Sequence, residues 1–310
     1  MITKIKYDSR EEWLELRRGY IGGSDAGAVI GLNPYSSPYA VWAEKTGKVK
    51  GFEGNLTTEV GTYLENFVAM LFSDETGKHV RRESRMIVND EYPWACADVD
   101  RLVVHEKALL EIKTTNSFPA MRKIRGGEYP EQWYCQMVHY LAVTGLERAY
   151  LAVLVNCREL RIYTLDRDQG EIDALMDAEK AFWSHVTNDT PPEADGSAAT
   201  TEALGAMFPQ DNGESITLFD TDLLEQRERL LTSKKALEKE IDAINNQIKD
   251  QMKDAERAVC DRWTVSWKTQ ERKTFDVKAL AKEYPMIDLD KYYKTTSSRM
   301  FRVTEKKEPA

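Results

Sequence analysis

Over the first 186 residues the apolar positions switch repeatedly between helical and strand-like spacing. Trp13, Leu14 and Leu16 mark one side of a helix over Ser9–Arg18, with Ser9 and Glu12 spaced as a capping box. Ser24–Ile30 and Ser37–Thr46 read as short helices, and Thr58–Thr76 as a stronger amphipathic one. Strand-like runs follow at Met86–Asn89, Ala95–His105 and Ala108–Thr114. Pro130–Val143 predicts a helix, Tyr150–Val155 and Glu159–Leu165 a strand pair, and Gln169–Val186 a closing helix. The order predicts an α/β chain of the α+β kind, a small mixed sheet with helices against it.

Beyond this region the pattern changes. Thr187–Ser215 is rich in Pro, Gly, Ser, Thr and Ala and has few large apolar groups. It reads as a flexible linker over 187–216, which separates a domain at 1–186 from a C-terminal region at 217–310. In that region Leu223, Leu230, Leu237 and Ile244 recur every seven residues, with Ile241 and Ile248 four residues after two of them. The spacing predicts either a helical hairpin arm or short coiled coil, or a helix packed against its own domain. Val259–Val303 then reads as a small aromatic-rich, basic cap of strands and helix, with Trp263, Trp267 and Phe275 among its aromatics.

Composition removes several classes. The 310 residues are 42% hydrophobic and 31% charged, as in a water-soluble globular chain. No run approaches 18 apolar residues, so no spanning helix and no membrane partner are expected. The start has no apolar signal core, which makes the cytoplasm the expected compartment. Cys96, Cys135, Cys157 and Cys260 lie far apart without a CxxC pair, against disulfide frameworks, zinc ribbons and cysteine-bound clusters. The net charge of -9 argues at first against a nucleic-acid partner. Its distribution argues differently, because residues 262–307 carry 12 basic and 6 acidic side chains.

The chemistry concentrates in Ala97-Asp98-Val99-Asp100-Arg101-Leu102 and Leu109-Leu110-Glu111-Ile112-Lys113. Residues two apart on a strand share a face, so Glu111 and Lys113 point the same way while Ile112 points into the core and leaves its carbonyl free. Two carboxylates and a carbonyl oxygen suit Mg²⁺ or Mn²⁺. A neighbouring lysine is placed to position or deprotonate a metal-activated water for attack on a phosphodiester. The same pairing also occurs on ordinary solvated strands, so the motif alone does not decide.

This pattern resembles the PD-(D/E)xK nuclease core, a restriction-endonuclease-like fold, and its flanks are similar to the YqaJ-type viral recombinases and the related phage lambda exonuclease. Four blocks carry the resemblance across roughly residues 10–185: Trp13 to Ala26 continuing through Ile30-Gly31-Leu32-Asn33-Pro34-Tyr35; Gly61-Thr62-Tyr63-Leu64-Glu65; the Asp100, Glu111, Lys113 segment; and Pro130-Glu131-Gln132-Trp133-Tyr134-Cys135-Gln136. The resemblance implies that Asp100, Glu111 and the Ile112 carbonyl hold the catalytic metal, that Lys113 serves the water, and that Glu65 completes a second metal position. It implies that Arg17 and Ser24 bind a 5′-terminal phosphate, with Gln136 beside that pocket.

One departure stands out. Asp98 occupies a position where lambda exonuclease has a phosphate-binding serine, and it is either an alternative metal ligand on the strand face of Asp100 or purely structural. The resemblance further implies Mg²⁺-dependent removal of 5′ mononucleotides from double-stranded DNA ends, with two ions per site. It also implies a homo-oligomer such as a ring-shaped trimer, and a single-strand annealing protein as recombination partner. A structure-selective or restriction-like endonuclease, or a non-catalytic DNA-binding module, are the alternatives that share these residues. Part of the acidic excess then belongs at a cation site, whose bound metal inverts the local field.

Overall fold

In the computed structural model, which describes residues 1–51, 54–218, 221–296 and 298–304, the chain opens with strand β1 (Ile2–Ile5) and helix α1 (Arg10–Arg18). Ser9 Oγ accepts the Glu12 amide at 3.1 Å. The Glu12 carboxylate reaches back to the Asp8 amide at 2.7 Å, one residue earlier than a capping box would place it. β2 (Ile21–Gly22), α2 (Gly23–Val29), α3 (Pro38–Lys45) and α4 (Leu56–Thr76) follow. Asn55 caps α4 at its start, and Gly77 ends it at a φ of 70°, a left-handed conformation that glycine adopts without a Cβ clash.

Strands β3 (Val80–Arg82), β4 (Met86–Asn89), β5 (Tyr92–Ala97), β6 (Arg101–Val103) and β7 (Ala108–Thr115) come next. Helices α5 (Phe118–Arg125) and α6 (Glu131–Thr144) lead to β8 (Arg148–Val155), β9 (Glu159–Asp166) and α7 (Gln169–Thr187). The expected mixed sheet is present as two sheets, ordered β3-β6-β7-β8-β9 and β1-β4-β5-β2. Each mixes one parallel pair, β7 with β8 and β2 with β5, with antiparallel neighbours. The predicted strand Ala95–His105 is broken, because β5 leaves the smaller sheet at Ala97 and β6 enters the larger one at Arg101. Asp98 and Asp100 therefore lie in the crossing between sheets, which corrects the expectation that they share a strand face.

The alternation of β7 positions the site. Leu109 packs with Met137 and Leu141 of α6, whereas Leu110 and Ile112 pack with Val68 and Phe72 of α4. Period two then puts Glu111 and Lys113 on the α6 side of the sheet. Burying a side chain such as Phe72 or Leu110, each 0% exposed, contributes about 1.5–3 kcal/mol. A third cluster joins α2, α3 and α7 around Trp42 and Phe182, and it takes in Ala203 of α8 (Ala198–Met207).

That helix changes the expected linker. Ser197 caps it, Thr200 hydrogen-bonds Ser37 Oγ at 2.8 Å, and Ala203 is buried, so a Ser/Thr/Ala-rich stretch serves as a packed helix with small side chains. The chain divides into the compact units Met1–Pro209 and Gln210–Ala310. In the second unit, α9 (Asp222–Met252) is one continuous helix, followed by the hairpin β10 (Arg257–Val259) and β11 (Thr264–Ser266), helix α10 (Val277–Glu283) and a short turn at Leu289–Tyr292. Leu223, Leu230, Leu237 and Ile244 are exposed, as are Trp263, Phe275 and Tyr292. Lys306 and Lys307, which belong to the basic segment, lie outside the described residues. Among the described residues no helix is long and apolar enough to cross a membrane.

Candidate active site

Strand β7 delivers Glu111 and Lys113 to one place, and the crossing between the sheets delivers Asp100. Asp100 Oδ2 accepts the Ile112 amide at 2.8 Å. The N–H and C=O of one strand residue point to the same edge, so the Ile112 carbonyl faces the edge that β6 vacates beyond its last pairs with Leu109 and Leu110. Asp100 thus sits against the Ile112 backbone, which adjoins Glu111 on the same strand. Lys113 Nζ lies 2.7 Å from Glu111 Oε1.

Two residues of α6 complete the setting. Gln136 Nε2 donates to Glu111 Oε1 at 2.8 Å and to the Tyr140 hydroxyl at 3.0 Å. The Tyr140 hydroxyl donates to the Asp98 carbonyl at 2.8 Å. Glu111 Oε1 is thus held twice, while Glu111 Oε2 is buried with no hydrogen-bond partner. Burial, and next the Glu111 charge, push Asp100 well above the usual carboxylate range. Burial likewise raises Glu111, against the opposing pull of Lys113. Burial alone would lower the Lys113 ammonium, but Glu111 and Asp100 outweigh it and raise it.

A buried carboxylate with an unfilled oxygen, a half-buried one beside it and a nearby carbonyl fit a hard divalent cation, which relieves the repulsion that the pair now carries. Asp100, Glu111 and Ile112 are the groups that would hold it. Glu65 stands apart from this pair in its bonding: its carboxylate is bound by the Arg101 guanidinium, which also reaches Asn66 Oδ1 and the Asp100 carbonyl at 2.6 Å each. Among the described residues no three acidic, His or Cys side chains form a ready metal cluster. Asp98 Oδ1 is buried without a partner, and burial raises its carboxyl.

Arg17, at the end of α1, bonds to Ser24 Oγ and lies 3.4 Å from Asp25 Oδ1. Gln136 is placed against Glu111 itself and is joined to the Arg17 region through Tyr140. Gly23 makes that junction possible, because a Cβ there would meet Tyr140 Cε1 at 2.4 Å. The paired glycines serve close approach to side chains, Tyr140 at Gly23 and the Arg17 guanidinium at Gly22. Gly23→Ala is expected to cost about 1–3 kcal/mol in urea unfolding and to lower activity by displacing Tyr140 from Asp98. Full stability in that variant would contradict the packing described.

Sequence reasoning missed Asp25, Lys45, Arg101 and Tyr140. Tyr140 had a signal, since it follows Gln136 by one helical turn. Asp25 adjoins Ser24 but carried no chemistry of its own, and Lys45 is distant in sequence.

A strand carrying Glu111 and Lys113, with Asp100 beside it from the crossing, between helices that cover both faces of a mixed sheet, makes a PD-(D/E)xK-like fold. In keeping with this, the structure is similar to the crystal structure of an alkaline exonuclease from Laribacter hongkongensis, with a TM-score of 0.51 and 23% identity over 58% of this chain and 94% of that one. The same exonuclease in complex with dAMP gives 0.51 and 22% over the same shares. The chain belongs to the YqaJ-like viral recombinase family, whose domain matches residues 12–147. The uncharacterized protein YqaJ of Bacillus subtilis (strain 168) is 36% identical over 312 residues, 98% of this chain and 97% of that protein.

Proposed function

We propose that this chain is a divalent-metal-dependent deoxyribonuclease that resects double-stranded DNA from its 5′ ends, releasing 5′ mononucleotides and leaving a 3′ single strand for recombination by annealing. The observation that carries this reading is Glu111, fixed through Oε1 by Gln136 and Lys113 while its buried Oε2 is left for a cation shared with Asp100. When bound, Mg²⁺ or Mn²⁺ supplies a Lewis acid and an activated water. Lys113 presents N–H donors on the Glu111 side of the strand, where they would orient such a water. A second ion would call on Glu65, which must exchange Arg101 for metal.

Arg17 and Ser24 offer a planar donor fork and a hydroxyl to a terminal phosphate. A pocket that grips an end uses binding energy found only there, which favours exonuclease over endonuclease action. The fold relative that was crystallised with dAMP supports a deoxynucleotide as the group held. The partners in this reading are duplex ends, an annealing protein that coats the 3′ strand, and further copies of the chain in a ring-shaped trimer.

The test uses linear duplexes labelled at either end, with nicked and closed circles beside them, in Mg²⁺. Loss of the 5′ label as mononucleotide, with circles intact, is the expected result. Degradation of closed circles would replace the exonuclease by an endonuclease, and release of the 3′ label first would reverse the polarity.

A further inference from the structure

The Arg17 guanidinium is held mostly by groups from outside its own helix. α1 buries none of its own residues and offers only the Trp13 ring to the side chain. Its far end bonds to Ser24 Oγ, lies 5.2 Å from the Trp13 ring centroid, and packs against the backbone of Gly22, where a Cβ would come within 3.1 Å. Asp25 stands behind it and divides its oxygens. Oδ2 takes Lys45 Nζ at 2.8 Å and the Gly22 amide at 3.0 Å, while Oδ1 is turned to Arg17 at 3.4 Å. Lys45, with a side chain 2% exposed, also donates to the Arg17 carbonyl at 3.2 Å.

The arrangement exceeds what a structural ion pair needs. Lys45 alone would neutralise Asp25, yet the same carboxylate also faces a second cation. Burial would raise the Asp25 carboxyl, but Lys45 and then Arg17 hold it far below the usual range, so it stays charged. Asp25 thus faces two cations, and the Arg17 guanidinium keeps donors for an incoming anion, with Asp98 the other carboxyl in its field.

We propose that Asp25, held from behind by Lys45, is the positioning residue that aims the Arg17 guanidinium at a 5′-terminal phosphate. The inference rests on the end-binding reading above and adds the residues that determine its specificity. In it Asp25 does not touch substrate. It removes the rotational freedom of Arg17 before DNA arrives, so the donor fork is already oriented.

The readout is the ratio of kcat/KM for duplexes with a 5′ phosphate over the same duplexes with a 5′ hydroxyl. Arg17→Ala should abolish the preference. Asp25→Asn should lower it about tenfold or more, through KM, the scale of losing a charge-assisted hydrogen bond. Asp25→Asn leaves Lys45 buried without its counterion and destabilises the chain, so the double variant Asp25→Asn/Lys45→Gln is measured with it. That pair keeps a hydrogen bond without buried charge, and is expected to recover thermal stability while the phosphate preference stays lost.

Recovery of the preference in the double variant would make Asp25 merely structural. An unchanged or raised preference in folded Asp25→Asn would overturn positioning and show that the carboxylate only competes with phosphate. If Arg17→Ala keeps the preference, the end-binding reading fails and takes this inference with it. If Arg17→Ala loses it and Asp25→Asn does not, the inference alone fails.

Discussion

Lys113→Ala is expected to lower cleavage of linear duplex DNA by about 10²–10⁴-fold, the range contributed by a positioned proton donor or acceptor. Lys113 is the ammonium bonded to Glu111, and it is held there by the strand period rather than by a flexible loop. Its removal also leaves a carboxylate buried to 3% exposure with less compensation, so stability should fall together with activity. Glu111→Gln separates the two effects. It abolishes cleavage as well, but it relieves the repulsion with Asp100 while leaving Lys113, whose side chain is 24% exposed, without this counterion, so its loss of stability in metal-free buffer should be smaller than that of Lys113→Ala. Mg²⁺ should raise the melting temperature of the native chain, because it binds the folded state alone. Equal Mg²⁺ shifts in native and Glu111→Gln protein would sink the assignment of Glu111 as a ligand.

Much of this site was legible because strands and helices have fixed periods. Glu111, Ile112 and Lys113 could be assigned to faces from alternation alone, and α6 and β8 fell within two residues of their predicted bounds. The break between β5 and β6 was not legible, since Ala97 to Val103 alternates acceptably as one strand and only the change of sheet interrupts it. The placement of Asp98 went wrong for that reason. α8 was hidden by composition: small side chains look like a linker until a neighbouring helix buries them, as Ser37 and α3 do here. Arg101 on Glu65 is a contact between residues 36 apart, and nothing local announces it.

The second large effect is expected in the core, where Glu179→Ala should cost about 3–5 kcal/mol, the scale for breaking a buried ion pair from one side. His139 and Glu179 are each 0% exposed, with Nδ1 2.7 Å from Glu179 Oε1 and Nε2 2.9 Å from the Cys96 carbonyl. With Glu179 ionised, two acceptors face the ring, and only an imidazolium has two N–H donors to satisfy them. Burial would lower His139, but Glu179 outweighs it and the net shift is upward from 6.5; burial also raises Glu179 from 4.5. Both groups therefore hold protons more tightly folded than unfolded. The His139 contribution is complete below its unfolded value of 6.5 and is lost as pH rises through its folded value. Glu179 has the same sign, beginning at 4.5. Unfolding free energies from urea melts should then fall toward alkaline pH. In Glu179→Gln the His139 part reverses, because a buried imidazole without its carboxylate prefers to be neutral and loses stability as pH falls. Taking the difference between native and variant cancels the other titrating groups. A difference without pH dependence would mean that the ring is neutral and that Glu179 carries the proton of the pair. The consequence reaches the active site, because His139 lies on α6 between Gln136 and Tyr140 and its bond to Cys96 ties that helix to the strand leading into Asp98 and Asp100.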